Sequence, residues 1–312
     1  MRRIRQRLKH SFPEALSFLS GRPHPEERGS INVAASPSPL APSVSISRRP
    51  LPGILGGLGP RAHIVFEGYV LDAAARLLGA ARDQDFPPWI LASVAGTPDR
   101  TRALRGGGDD PRPALWEGFG RLARAGADFA VVTCVTAHAF LIPSAARPEL
   151  PLPVMDLPGL AARSASTIRR AGLLATTGTL ESRLFQRAFV RLGKACLAPF
   201  DLPDGRRWQE ELVMAAIYGD ISDQYPGGIK GNGPTPELID RLFAAGRRLV
   251  DAGADALVAG CTEISLAAGR LADAGVPIID PLRAGADALA RYWAGLPPGA
   301  GDDAQWEGCF LS

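Results

Sequence analysis

The sequence predicts an α/β protein built as two related halves, each around a parallel sheet covered by helices on both faces. Two observations carry this expectation. From Leu51 onward, short apolar runs alternate with amphipathic stretches, the pattern of buried strands joined by crossover helices. One unit also recurs: Gly126-Ala127-Asp128 opens an apolar run ending at Cys134, and Gly253-Ala254-Asp255 opens one ending at Cys261. In both, the cysteine stands eight residues after the glycine and an Arg-rich helix precedes it, around Arg121–Arg124 and Arg247–Arg248.

The elements follow in order. Residues 1–50 are rich in Arg, Ser and Pro, and Ala34 to Pro42 reads as a linker, so this stretch is expected to be a disordered basic extension. Ile54-Leu55 is a strand running into a Gly-rich turn that ends at Pro60. Ile64 to Leu78 has helical spacing, and Trp89 to Val94 reads as a strand. Leu115, Phe119 and Leu122 form a helix face that stops at Gly126, ahead of a buried strand from Phe129 to Thr133. Strands at Leu152–Met155, Leu173–Thr176 and Ala256–Ala259, with a helix around Leu184–Phe189, continue the cycle. This places a first domain at 51–158, a second at 159–280, and a last helix, 281–296, returning to the first.

Charge and composition narrow the function. The first fifty residues hold nine Lys/Arg and three acids, a net of +6, so the rest carries −3 of the chain's +3. A body without a basic excess excludes nucleic acid as an expected partner. No apolar run reaches bilayer length, and no membrane partner is expected. Four cysteines without CxxC or Cys/His zinc spacing exclude a disulfide scaffold and a metal site, and imply a reducing, cytoplasmic setting.

A cysteine just beyond a strand end, followed by Thr and a new helix, lies at the carboxyl edge where α/β sheets bind ligands. Helical N–H groups there favour the thiolate. Two such cysteines facing each other could invert a stereocentre, one taking the α-proton as thiolate while the other returns one as thiol. The alternative for either residue alone is packing, since cysteine is among the most buried residue types. The matched repeat favours function, because packing does not require the same residue at the same offset.

Six ordered motifs resemble the aspartate/glutamate racemase family, nearest its aspartate racemase branch, over Pro52 to Leu282. They are Gly53-Ile54-Leu55-Gly56-Gly57-Leu58-Gly59-Pro60, Pro98-Asp99-Arg100-Thr101, Cys134-Val135-Thr136-Ala137-His138, Gly172-Leu173-Leu174-Ala175-Thr176, Ile229-Lys230-Gly231 and Gly260-Cys261-Thr262-Glu263-Ile264. The resemblance implies two pseudo-symmetric four-stranded parallel-sheet domains with the site between them, no cofactor, and a homodimer. It implies Cys134 and Cys261 as paired acid and base. Thr136 and Thr262 would hold the α-carboxylate, and Arg100 and Lys230 the side-chain carboxylate. Gly59, in the glycine loop, and Thr177 are also placed at the substrate, while Glu263, two residues after Cys261, either orients a substrate amine or a thiol or caps the helix start as a favourable anion. The expected partner is a small amino acid or dicarboxylate, with aspartate favoured over glutamate.

The chain departs from the family where Val135 replaces an Asn, and where Ser93-Val94-Ala95-Gly96-Thr97 replaces an Asn-rich stretch. Valine can neither donate nor accept a hydrogen bond, so an Asn at 135 is expected to sharpen aspartate activity. Dicarboxylate isomerisation, hydantoin epimerisation or decarboxylation are the alternatives within the fold. His138, four residues after Cys134, either tunes the thiol as a neighbouring cation or is a satisfied half-buried histidine, the second being favoured. A Cys134–His138 hydrolase lacks nucleophile–base geometry at that spacing. Gly57 to Ala62 fits a G-x-G-x-x-A dinucleotide loop, so an NAD oxidoreductase is also weighed, against a proline inside the turn and no ribose-binding acid.

Overall fold

The computed structural model describes residues 48–142, 149–219, 227–272, 275–299 and 306–311. Arg48–Ser312 form one compact unit. The disorder expected of the first fifty residues falls, up to residue 47, outside the described residues.

The fold is α/β with two parallel sheets. The first contains β1 (Pro52–Gly56), β2 (Ile90–Ser93) and β3 (Phe129–Val132) in the order β2-β1-β3. The second contains β4 (Arg170–Leu174), β5 (Ala195–Leu197), β6 (Ala256–Ala259) and β7 (Ile278–Ile279) in the order β5-β4-β6-β7. The halves share one winding and one register. Leu55 stands opposite Val132 in the first, and Leu174 opposite Ala259 in the second.

The repeated Gly-Ala-Asp triplet has a physical explanation. Helices Arg112–Arg124 and Pro236–Asp251 both end in it. Gly126 and Gly253 sit at φ 92° and 94°, left-handed backbone that a side chain disfavours. The next N–H reaches back into the helix, Ala127 N to Leu122 O at 3.1 Å and Ala254 N to Leu249 O at 3.0 Å, the six-to-one bond of a Schellman stop. The aspartate then braces the neighbouring strand. Asp128 Oδ2 accepts from Leu51 N at 2.6 Å, and Asp255 Oδ2 accepts from Arg170 N at 2.9 Å. Four strand residues later, each chain emerges one residue before its cysteine. Gly126→Ala should cost about 1–2 kcal/mol through the forced left-handed conformation alone. A Cβ there meets nothing within 4 Å, so urea denaturation should report this cost without a clash.

The first sheet has three strands, not the four expected. The segment at Leu152–Met155 contributes one parallel bridge, Ala130 to Val154. Pro151 and Pro153 supply no N–H and cannot extend the ladder. What remains is Ala130 N to Pro153 O at 2.8 Å and Met155 N to Ala130 O at 2.9 Å. The second half is limited in the same place. Leu257 N donates to Pro277 O at 2.9 Å and β7 is only two residues long.

Two other boundaries move. Helix Pro60–Leu78 begins four residues earlier than its apolar spacing suggested, because Pro60 is at home in the first turn. The strand expected to run to Thr176 stops at Leu174, and Thr176 instead caps helix Thr177–Ser182 by accepting from Thr179 N. Helix Pro281–Trp293 packs on helix Pro60–Leu78, joining Phe66, Val70, Leu282 and Leu289 in one apolar cluster. No helix among the described residues is long and apolar enough to cross a membrane.

Candidate active site

Both cysteines occupy the same local structure. Cys134 follows β3 in extended backbone (φ −153°, ψ 107°) and caps the turn Val135–Ala137. Cys261 follows β6 in extended backbone (φ −129°, ψ 139°) and caps helix Thr262–Ser265. Their residues are only 6% and 5% exposed.

Each half sends the loop after its first strand to the other half's cysteine turn. The Gly57–Pro60 loop leaves β1 and reaches Glu263, two residues beyond Cys261. A Cβ at Gly59 would lie 2.6 Å from Glu263 Oε1, so only glycine allows this approach. The loop after β4 crosses the opposite way. Thr136, two residues beyond Cys134, shares hydrogen bonds with Thr179 Oγ1 (2.8 Å) and Thr176 Oγ1 (3.2 Å). The carboxyl ends of both sheets therefore face each other.

The two thiols have different surroundings. Cys261 donates to Glu263 Oε2 at 2.8 Å. Burial, and then the Glu263 charge, push its pKa well above the ordinary thiol value. This corrects the expectation that the helix start favours a thiolate at Cys261: a buried carboxylate at hydrogen-bond distance outweighs a one-turn helix. Arg100 lies beside Cys134. Burial alone would lower the guanidinium pKa, but the charges of Cys134 and Asp99 more than offset it, and Arg100 is held protonated above its ordinary value.

Arg100 is 8% exposed, and backbone carbonyls fix it. Nη2 donates to Leu58 O at 2.6 Å, and Nη1 to Pro98 O at 3.1 Å and Thr97 O at 3.3 Å. Its Nε is buried and has no hydrogen-bond partner among the described residues. Thr97 is the last residue of the stretch that lacks the family's asparagines, and here its carbonyl positions the arginine.

Lys230 Nζ pairs with Glu263 Oε1 at 2.7 Å. Burial opposes both charges. Each is nevertheless held ionised, Lys230 raised chiefly by Glu263 and Glu263 lowered chiefly by Lys230. The sign for stability follows. The depressed carboxylate contributes fully above its ordinary value of 4.5 and loses the contribution as pH falls through the lowered one. The raised ammonium contributes below its ordinary 10.5 and loses the contribution as pH rises through the raised value.

Thr262 Oγ1 donates to Glu263 Oε2 at 3.3 Å, so Cys261, Thr262 and Lys230 all converge on one carboxylate. Thr177 faces elsewhere. Its hydroxyl donates to Glu210 Oε1 at 2.7 Å and its N–H to Met214 Sδ at 3.3 Å. Gln209 and Met214 begin and end a π-helical turn, whose five-residue hydrogen-bond spacing brings both onto this loop.

One other expectation changes, and one pair of alternatives resolves. Val135 does not face the cleft. It is 1% exposed and packs into the second half's core among Ala161, Leu173, Leu180 and Phe185. His138 is fully buried, with Nδ1 3.1 Å from Cys134 O and Nε2 3.3 Å from Met155 O, so it braces backbone and does not meet the thiol. Desolvation pushes its pKa down, which favours the neutral ring.

Tyr218 was not anticipated. Its hydroxyl donates to Asp99 Oδ2 at 3.1 Å, next to Arg100, and its ring lies 5.2 Å from Lys230 Nζ. It joins the two halves at the site. No local pattern marks it, because its partners are over a hundred residues upstream and twelve downstream.

Comparison with known proteins agrees with this fold. The Asp/Glu/Hydantoin racemase family model matches residues 68–289. The broad specificity amino-acid racemase RacX of Bacillus subtilis (strain 168) is 23% identical over 231 residues, covering 73% of this chain and 91% of that protein. A glutamate racemase of Thermus thermophilus is 31% identical over 184 residues, covering 58% of this chain and 61% of that one. Among solved structures, Picrophilus torridus aspartate racemase superposes with a TM-score of 0.62 at 21% identity, covering 83% of this chain and 97% of that one.

Proposed function

Because the chain belongs to the Asp/Glu/Hydantoin racemase family, we propose that it is a cofactor-independent racemase of an acidic amino acid, aspartate before glutamate, with Cys134 and Cys261 as its two bases. The observation that supports this most is the equivalence of the two cysteines. Both cap the turn after the third strand of their sheet, and each turn is met by a loop from the other half.

In the direction written here Cys134, beside the Arg100 guanidinium, serves as the base, and Cys261, bonded to Glu263, as the acid. Cys134 takes the α-proton and becomes a thiol. The C–H electron pair delocalises into the α-carboxylate, which gathers charge as an enediolate. Cys261 gives its S–H proton to the opposite face of the α-carbon and is left as thiolate. The other enantiomer is converted by the same steps in reverse. Arg100, with a buried Nε to spare, meets a substrate carboxylate.

The dinucleotide reading is disfavoured by space, since the glycine loop packs against the Glu263 carboxylate so closely that even a Cβ at Gly59 would lie 2.6 Å from Oε1.

The test is purified protein in buffer free of pyridoxal phosphate and metal, incubated with L-aspartate or L-glutamate and followed by chiral chromatography. Appearance of the D-enantiomer supports the reading. Optical stability of both, with turnover of a hydantoin or an unsaturated dicarboxylate instead, moves the protein to another reaction. Glu263→Gln removes the charge that raises Cys261. The alkaline limb of its kcat/KM profile should therefore move to lower pH, and an unmoved limb would show that Glu263 does not govern the thiol.

A further inference from the structure

We propose that Arg61 reads the substrate's side-chain carboxylate and so determines the preference for an acidic amino acid; this rests on the racemase reading above. Lys230 is the residue expected in that role, yet its ammonium is committed to Glu263 at 2.7 Å. Glu263 is fixed in turn by the Cys261 thiol and the Thr262 hydroxyl. Releasing Lys230 to a substrate would leave a 4%-exposed carboxylate without its counter-charge.

Arg61 supplies the charge Lys230 cannot. It is the second residue of helix Pro60–Leu78, directly after the glycine loop that reaches Glu263. It is exposed and makes no hydrogen bond or ion pair among the described residues. Its guanidinium lies against Gly233, where a Cβ would stand 3.8 Å from Cζ, so it borders the segment that carries Lys230. Gly59, Arg61, Lys230 and Glu263 line one narrow crevice.

The charge balance is explicit. Lys230 and Glu263 cancel, and Arg61 leaves the crevice with one uncompensated positive charge. An acidic amino acid brings one carboxylate more than a neutral one. A guanidinium fork binds a carboxylate through two parallel hydrogen bonds, a geometry an ammonium does not offer. Leu58 O, three residues before Arg61 in the same loop, accepts from Arg100 Nη2.

The experiment measures kcat and KM for the wild type, Arg61→Gln and Arg61→Lys with aspartate, glutamate and their amides asparagine and glutamine. Because Arg61 is exposed, neither variant should disturb folding. Arg61→Gln is expected to raise KM for the acidic substrates by about tenfold or more, with kcat little changed and the amides unaffected; Arg61→Lys should recover part of the loss. An unchanged KM for the acids, or an equal loss for the amides, overturns the assignment while racemisation itself stands. A wild type that inverts none of the four overturns the racemase reading and this inference together.

Discussion

Cys134→Ser and Cys261→Ser should each lose racemisation by about 10²–10⁴-fold or more, the usual contribution of a positioned acid or base. Serine keeps the shape of both sites, but its hydroxyl does not ionise near neutral pH. The two variants should fail differently. With Cys134 intact, Cys261→Ser retains the base that takes the α-proton of one enantiomer and cannot deliver a proton to the other face. It should exchange that enantiomer's α-proton with solvent without inverting it. Cys134→Ser should show the opposite preference, more weakly, because Glu263 holds Cys261 as a thiol. Near-UV circular dichroism checks that both variants stay folded. A variant that still racemises at near wild-type rate would remove its cysteine from the mechanism.

Val135→Asn should destabilise the protein by about 2–4 kcal/mol, combining lost apolar burial with an amide that finds no partner. The side chain is 1% exposed among Ala161, Leu173, Leu180 and Phe185 of the other half. Thr136 is bonded to Thr176 and Thr179 next to it, so the whole turn after Cys134 is anchored across the halves. The loss should appear as a lower midpoint in urea with an unchanged slope. No gain in aspartate turnover should accompany it. Wild-type stability together with faster aspartate racemisation would mean that residue 135 faces the substrate after all.

These two outcomes mark what the sequence discloses. The cysteine pair was legible because a Schellman stop, an aspartate brace and a four-residue strand fix the distance from glycine to cysteine in both halves. That distance is local, and local geometry is written in residue order. The direction of Val135 was not legible, because it depends on a core built from another part of the chain. The ionisation of Cys261 was hidden for a similar reason. Helix position favours a thiolate, and burial together with the orientation of Glu263 reverses this. The missing fourth strand was within reach, since Pro151 and Pro153 stand in the sequence and withhold the N–H groups a ladder needs. Tyr218 lies in no motif and Arg61 at an unspecified position of the glycine loop, and both emerge only when the two halves are brought together.

The central claim is proton transfer by two bases on opposite faces of one carbon. It is tested most directly by starting from the pure L-amino acid in deuterium oxide and measuring deuterium at the α-carbon of both enantiomers at low conversion. Two bases deliver a solvent-derived proton to the product and leave the recovered substrate unlabelled, so deuterium should appear in the D-enantiomer alone. Equal labelling of recovered L-substrate and D-product would mean that one base serves both faces, and would contradict the pairing of Cys134 with Cys261.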